Sequence, residues 1–190
     1  MKSFQERLLK DFDVRQELQK NGRVKKVYVY KGEYASWDAS KEELRRYKRL
    51  HRNAAILLCA FYVWAALQRI PMNASKVSGF FTLLSLAALV AVIMGVVPFV
   101  RSKEKMYVRD LREMKAVILW STMIYFILQA GNVLAGIVHG VTQGGSLVSA
   151  LVILAYGISG ALALVIFLAQ NKLKYKILEK NKTWKQKGQI

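Results

Sequence analysis

Thr122, Tyr125, Gln129, Asn132, Gly136, His139 and Gln143 follow one another at intervals of 3-4-3-4-3-4 inside a stretch without charge. On a helix that spacing places all seven on one face. Ser149, Val152, Tyr156, Ser159 and Ala163 continue at 3-4-3-4. Hydroxyls, phenols and primary amides of this kind exchange hydrogen bonds with one another or with a hydrogen-bonding guest. Two readings therefore fit a seam made of Thr122, Tyr125, Gln129, Asn132, His139, Tyr156 and Ser159. One is a hydrated path or small-molecule site centred on Gln129 and Asn132, where an unpartnered amide is costly in a membrane. The other is interhelical glue, each bond contributing about 0.6 kcal/mol. Gly136 and Gly140 add a pair of positions for close helix approach.

Other chemistries find no support. No nucleophile with a paired base, no glycine-rich phosphate loop and no carboxylate pair is present, so no catalytic residue is expected and the chain does not read as an enzyme. His51 and His139 fall at opposite ends of membrane-length segments, too far apart to ligate one haem or metal. Cys59 is the single cysteine, which excludes an intramolecular disulfide and a cysteine-rich metal site. No metal and no cofactor are expected. A carrier coupled to ions usually needs a membrane-embedded carboxylate or lysine, and the seam has neither.

The elements that position the seam follow from segregated composition. The chain has 190 residues, 54% of them hydrophobic, with a net charge of +18. Residues 116–170 and 77–100 carry no Lys, Arg, Asp or Glu. Crossing a hydrocarbon core takes about 20 helical residues. The expected spans are therefore 54–70, 77–100, 116–141 and 147–169, the last two joined by a Gly-Gly turn at 142–146. The first span is the least apolar, with Arg52 and Arg69 at its ends. The expected fold class is an all-α integral membrane protein, a bundle of four transmembrane helices.

Of 30 basic residues, 15 precede the first span, two lie between spans one and two, six between spans two and three, and seven in the tail. The positive-inside rule then puts both termini in the cytoplasm of a multi-pass plasma-membrane protein. Asn73-Ala74-Ser75 matches a glycosylation sequon, but it would be pressed against the bilayer.

On the cytoplasmic side, residues 1–22 read as an amphipathic helix opened by Ser3 and Glu6, with Phe4, Leu8 and Phe12 every fourth residue. Residues 23–37 read as a β-hairpin turning at Lys31-Gly32, with Val29 facing Tyr34. Its Tyr28, Tyr30, Tyr34 and Trp37 are the candidate partner-facing side chains. Residues 38–53 form a juxtamembrane basic helix that the Ser40–Glu43 capping box opens and that runs into span one. The connection 101–115 and the tail 170–190 are basic, and their apolar spacing (Tyr107, Leu111, Met114, Ile118; Leu173, Ile177, Trp184) suggests helical extensions below the membrane. Arg45, Arg46, Lys48, Arg49, Arg52, Lys172, Lys174 and Lys176 are the candidate contacts to anionic inner-leaflet lipids.

No nucleic-acid reading module accompanies that charge, and nucleic acid is not an expected partner. The expected partners are membrane lipids and either another protein or a second copy. The reading that follows is an accessory, scaffolding or regulatory membrane protein; the alternative is a small channel or carrier, or a subunit of one, built on the seam.

Overall fold

Ser40 opens the first long helix as its sequence requires. Its Oγ accepts from the Glu43 amide at 3.2 Å while its own amide donates to Glu43 Oε2 at 2.9 Å. The computed structural model describes residues 33–178 in full and the backbone of residues 12–18 and 24–30. From Lys41 the helix α1 runs unbroken to Ala66. Pro71 then starts a single turn, α2 (Pro71–Ala74), and Ser75 caps α3 (Lys76–Arg101) by accepting from the Ser78 amide. The sequon residue Asn73 is engaged here: its Nδ2 donates to the carbonyls of Ala65 and Gln68 at 2.8 and 2.9 Å, closing the end of α1.

Helix α4 (Val108–Gln143) is the longest, at 36 residues. It stops at Gly144, whose φ of +84° only glycine adopts without strain. Ser146 then caps α5 (Leu147–Lys172). The four long helices form a ring in which α1 packs on α3, α3 on α4, α4 on α5 and α5 on α1. Helices α3, α4 and α5 are long and apolar enough to cross a membrane. Their outer faces show it: Phe80, Leu83, Met94, Ile127, Leu134, Leu154 and Leu168 are all exposed. Helix α1 falls short of that mark because its first three turns are basic.

Five strands complete the described residues: β1 (Phe12–Leu18), β2 (Val24–Tyr30), β3 (Tyr34–Trp37), β4 (Lys105–Tyr107) and β5 (Tyr175–Leu178). They correct three expectations. The helix expected over 1–22 gives way at 12–18 to β1, which runs antiparallel to β2 with Phe12 opposite Tyr30 and Leu18 opposite Val24; the remainder of that expected helix lies outside the described residues. Phe12, Val14 and Leu18 have the period of a strand, and a β-rich VKKVYVY segment needs a neighbour. The hairpin expected across 23–37 does not form either. Residues 34–37 are a strand, but both edges of β3 are occupied, by β4 (Tyr34 opposite Tyr107) and by β5 (Trp37 opposite Tyr175), so β2 pairs elsewhere. The helix expected in the tail stops at Lys172 and residues 175–178 form β5 instead, while 179–190, with Trp184, lie outside the described residues. The extension before span three is helical from Val108, with Leu111, Met114 and Ile118 buried.

The sheet β4–β3–β5 has a consequence for the whole bundle. Strand β3 leads into α1, β4 joins α3 to α4, and β5 follows α5. One sheet therefore gathers the starts of α1 and α4 and the ends of α3 and α5 at one end of the ring. Ala35 and Trp37 are buried beneath it, and Trp37 meets Phe99 of α3 edge-on, ring centroids 5.5 Å apart. Two lysines finish the junction. Lys48 Nζ donates to the carbonyl of Ser102, which ends α3, and Lys115 Nζ to that of Leu173, which ends α5, at 2.8 Å. Helix C-termini leave such carbonyls without intrahelical partners, and a cation is a favourable one.

Candidate functional site: the polar core of the bundle

The seam closes into the centre of the ring. Thr122, Tyr125, Gln129, Asn132 and Gly136 of α4 are all buried, as are Ser149, Val152, Tyr156, Ser159 and Ala163 of α5. The hydroxyls of Tyr125 and Ser159 lie 2.6 Å apart, and Ser159 Oγ donates onward to the Leu58 carbonyl of α1 at 3.1 Å. Thr122 turns back on its own helix, donating to the Ile118 carbonyl at 2.6 Å. His139 is half-buried towards the far end of α4.

Helix α3 supplies residues that the seam did not include. Thr82 Oγ1 donates to Asn132 Oδ1 at 3.2 Å and lies 3.4 Å from the Tyr156 hydroxyl, while Asn132 Nδ2 donates to Ser85 Oγ at 3.3 Å. Tyr62 of α1 donates to the Thr82 carbonyl at 2.7 Å. The network thus draws on all four helices. Its signal was present: Ser78, Thr82, Ser85, Leu89, Val92 and Val96 follow at 4-3-4-3-4 in span two, a second face with polar residues at one end.

Gln129 stands apart. It is 1% exposed, sits between Tyr125 and Asn132 on the same face, and neither amide atom makes a well-formed hydrogen bond, although the amide stands within interaction range of the Tyr125 hydroxyl. Close approach explains Gly136, where an added Cβ would lie 2.6 Å from Ile153 Cγ1, but not Gly140, which has nothing within 4 Å. The expected glycine pair is therefore a single contact.

A second polar group is buried where the bundle meets the sheet. His51 and Gln170 are both fully buried, and the His51 ring lies 4.6 Å from that of Phe99. His51 Nδ1 is 2.8 Å from the Tyr47 carbonyl, so Nδ1 carries the proton and Nε2 the lone pair in the neutral ring. Burial pushes its pKa down, opposed in part by the Tyr47 and Gln170 hydrogen-bonding groups. Neither histidine joins a metal-binding cluster; among the described residues no group of three or more His, Cys, Asp or Glu comes together.

The basic candidates divide. Arg45, Arg46, Arg49, Arg52, Lys172 and Lys174 are exposed; Lys176 is exposed but paired with Asp38 at 2.8 Å, and Lys48 is half-buried on Ser102. Among the aromatic candidates, Tyr34 is 44% exposed with its ring 5.2 Å from that of Tyr107. Trp37 is only 5% exposed, which removes it from any partner-facing surface. Tyr28 and Tyr30 stand in β2 opposite Val14 and Phe12.

Fold and site together define a class: a mostly helical bundle with three helices apolar enough to cross a membrane, an uncharged polar core and a small sheet across one end. No protein-family model, curated protein or solved structure matches this chain.

Proposed function

We propose that the chain is a multi-pass plasma-membrane protein with four spans and both termini in the cytoplasm, acting as an accessory, scaffolding or regulatory component. Its basic end meets a protein partner and the anionic inner leaflet. The observation that carries this reading is the sheet: it draws one end of every long helix to the same side, and 15 of the 17 Lys and Arg among residues 33–178, all but Arg69 and Lys76, belong to the segments at that end. The polar core supports it as well, since Tyr125 bonds to Ser159, Asn132 meets Thr82 and Ser85 of α3, and Tyr156 meets Thr82, which is how packing residues behave. A reporter active only in the cytoplasm, fused after Ile190, is expected to be active; activity of an external reporter at that position overturns the topology.

One observation favours the channel or carrier alternative, namely the buried Gln129 amide without a well-formed hydrogen bond. In proteoliposomes, Gln129→Leu is expected to leave permeability to water and small neutral solutes unchanged if the core is packing. Loss of a measurable flux in that variant would establish the alternative.

A further inference from the structure

On α1, Arg46, Arg49, Asn53, Leu57, Ala60 and Trp64 follow at 3-4-4-3-4, and all six are exposed. That spacing is one row along a continuous helix, basic at the start and apolar beyond. Its apolar part forms one wall of a groove of about 480 Å³ whose other wall, on α5, includes Leu154 and Ile158. Ala60 keeps the α1 wall low, while Phe61 and Trp64 raise it at the far end.

Charge stands beside this groove at an unusual level. The Ser159–Leu58 hydrogen bond marks where α1 and α5 meet. From there α5 runs to Lys172 before its first cation, about 20 Å at 1.5 Å per residue, whereas α1 meets Arg52 after about 9 Å. The uncharged part of α1, residues 53–66, is about 21 Å long against the roughly 30 Å a span must cover. On this side of the ring the headgroup level is drawn inward, a mismatch that a bilayer meets by local thinning or by snorkelling side chains.

Arg45, Arg46, Arg49 and Arg52 form no salt bridge with any described carboxylate; Arg46 is within electrostatic reach of Glu43, and Arg52 Nε donates to Asn53 Oδ1 at 3.3 Å. Guanidinium groups bind phosphate oxygens in a bidentate manner and suit this task better than lysines. The groove begins about 6 Å above Asn53 and ends about 16 Å above it, the depth of one leaflet's chains.

We propose that this surface is a phospholipid site. The phosphate of an anionic phospholipid from the leaflet at the basic end lies on Arg46, Arg49 and Arg52, and one of its acyl chains fills the groove between α1 and α5. The proposal rests on the membrane reading above and gives its lipid contact a place and a composition.

The test uses the full chain, purified in mild detergent and stripped of lipid, with phosphatidylglycerol binding followed by native mass spectrometry. The triple variant Arg46→Gln, Arg49→Gln, Arg52→Gln is expected to lose about a hundred-fold in affinity, about fivefold per arginine. Ala60→Phe, which fills the groove without touching charge, is expected to lose about ten-fold. The control Lys172→Gln with Lys174→Gln is expected to bind as the parent does. An equal loss in the lysine control overturns the proposal in favour of diffuse charge, and displacement of the lipid by glycerol phosphate shows that the groove is unused. If Ala60→Phe instead dissolves a dimer and leaves lipid binding intact, the groove belongs to a second copy. Binding in detergent does not depend on orientation, so an external C-terminal reporter would sink the topology while leaving this site standing.

Discussion

Asn132 and Gln129 occupy the same helix face one turn apart, yet their surroundings assign them opposite energetic roles. Asn132 bonds to both Thr82 and Ser85, whereas the Gln129 amide makes no well-formed hydrogen bond. Asn132→Leu breaks two interhelical bonds and is expected to cost about 1–2 kcal/mol. Gln129→Leu removes a poorly bonded amide at similar volume and is expected to be neutral or stabilising by about 1 kcal/mol. Thermal unfolding of the two variants in one detergent checks the contrast, and equal losses would contradict it. His51 carries a pH dependence whose sign is fixed. Its pKa is lowered by burial from the ordinary 6.5, so below that value the unfolded chain binds the extra proton and the folded chain does not. Stability is therefore expected to be level above about pH 6.5 and to fall as pH drops below it. His51→Leu should flatten that part of the curve, and an unchanged slope in an equilibrium unfolding titration would assign it elsewhere.

At the scale of elements, helix contacts depend on where backbones come together and less on the number of glycines. An added Cβ at Gly136 meets both Ile153 and the Met72 sulfur, at 2.6 and 3.0 Å, while Gly140 faces open space. Gly136→Val is expected to destabilise by about 1–3 kcal/mol and Gly140→Val by less than about 0.5 kcal/mol, read as shifts in melting temperature. Similar shifts for the two would mean that the α4–α5 approach is loose. The elements also show what the sequence made legible. Long charge-free runs and the Ser40–Glu43 cap are local signals, and the helices at 41–66, 76–101 and 147–172 follow them. Half of the polar core was legible in the same way, through the period of Tyr125, Asn132, Tyr156 and Ser159. Strand partners were not. Val29 and Tyr34 are close in the chain and suggest a hairpin, but β3 finds its neighbours at residues 105–107 and 175–178, a choice that depends on the bundle bringing them together. Nothing in YASW, KMY or YKIL taken singly announces that they share a sheet.

For the molecule as a whole, charge is divided between construction and surface. Lys48 and Lys115 are spent on helix ends, Lys176 on Asp38 and Lys41 on Glu104, whereas the arginine row of α1 stays exposed. A count of basic residues predicts an orientation but cannot separate these two uses, because the separation is made by tertiary neighbours.

The sheet across the basic end also sets an order of events during synthesis. Strand β3 emerges early, its first partner about 70 residues later and its second about 140 residues later, after the last long helix. Until β5 is made, at least one edge of β3 offers unpaired backbone groups. Closure of the sheet therefore reports that every helix has been made and put in place. A chain that stalls or loses its last helix would be left with an open strand at that end of the bundle, which makes this small sheet a seal on completed assembly.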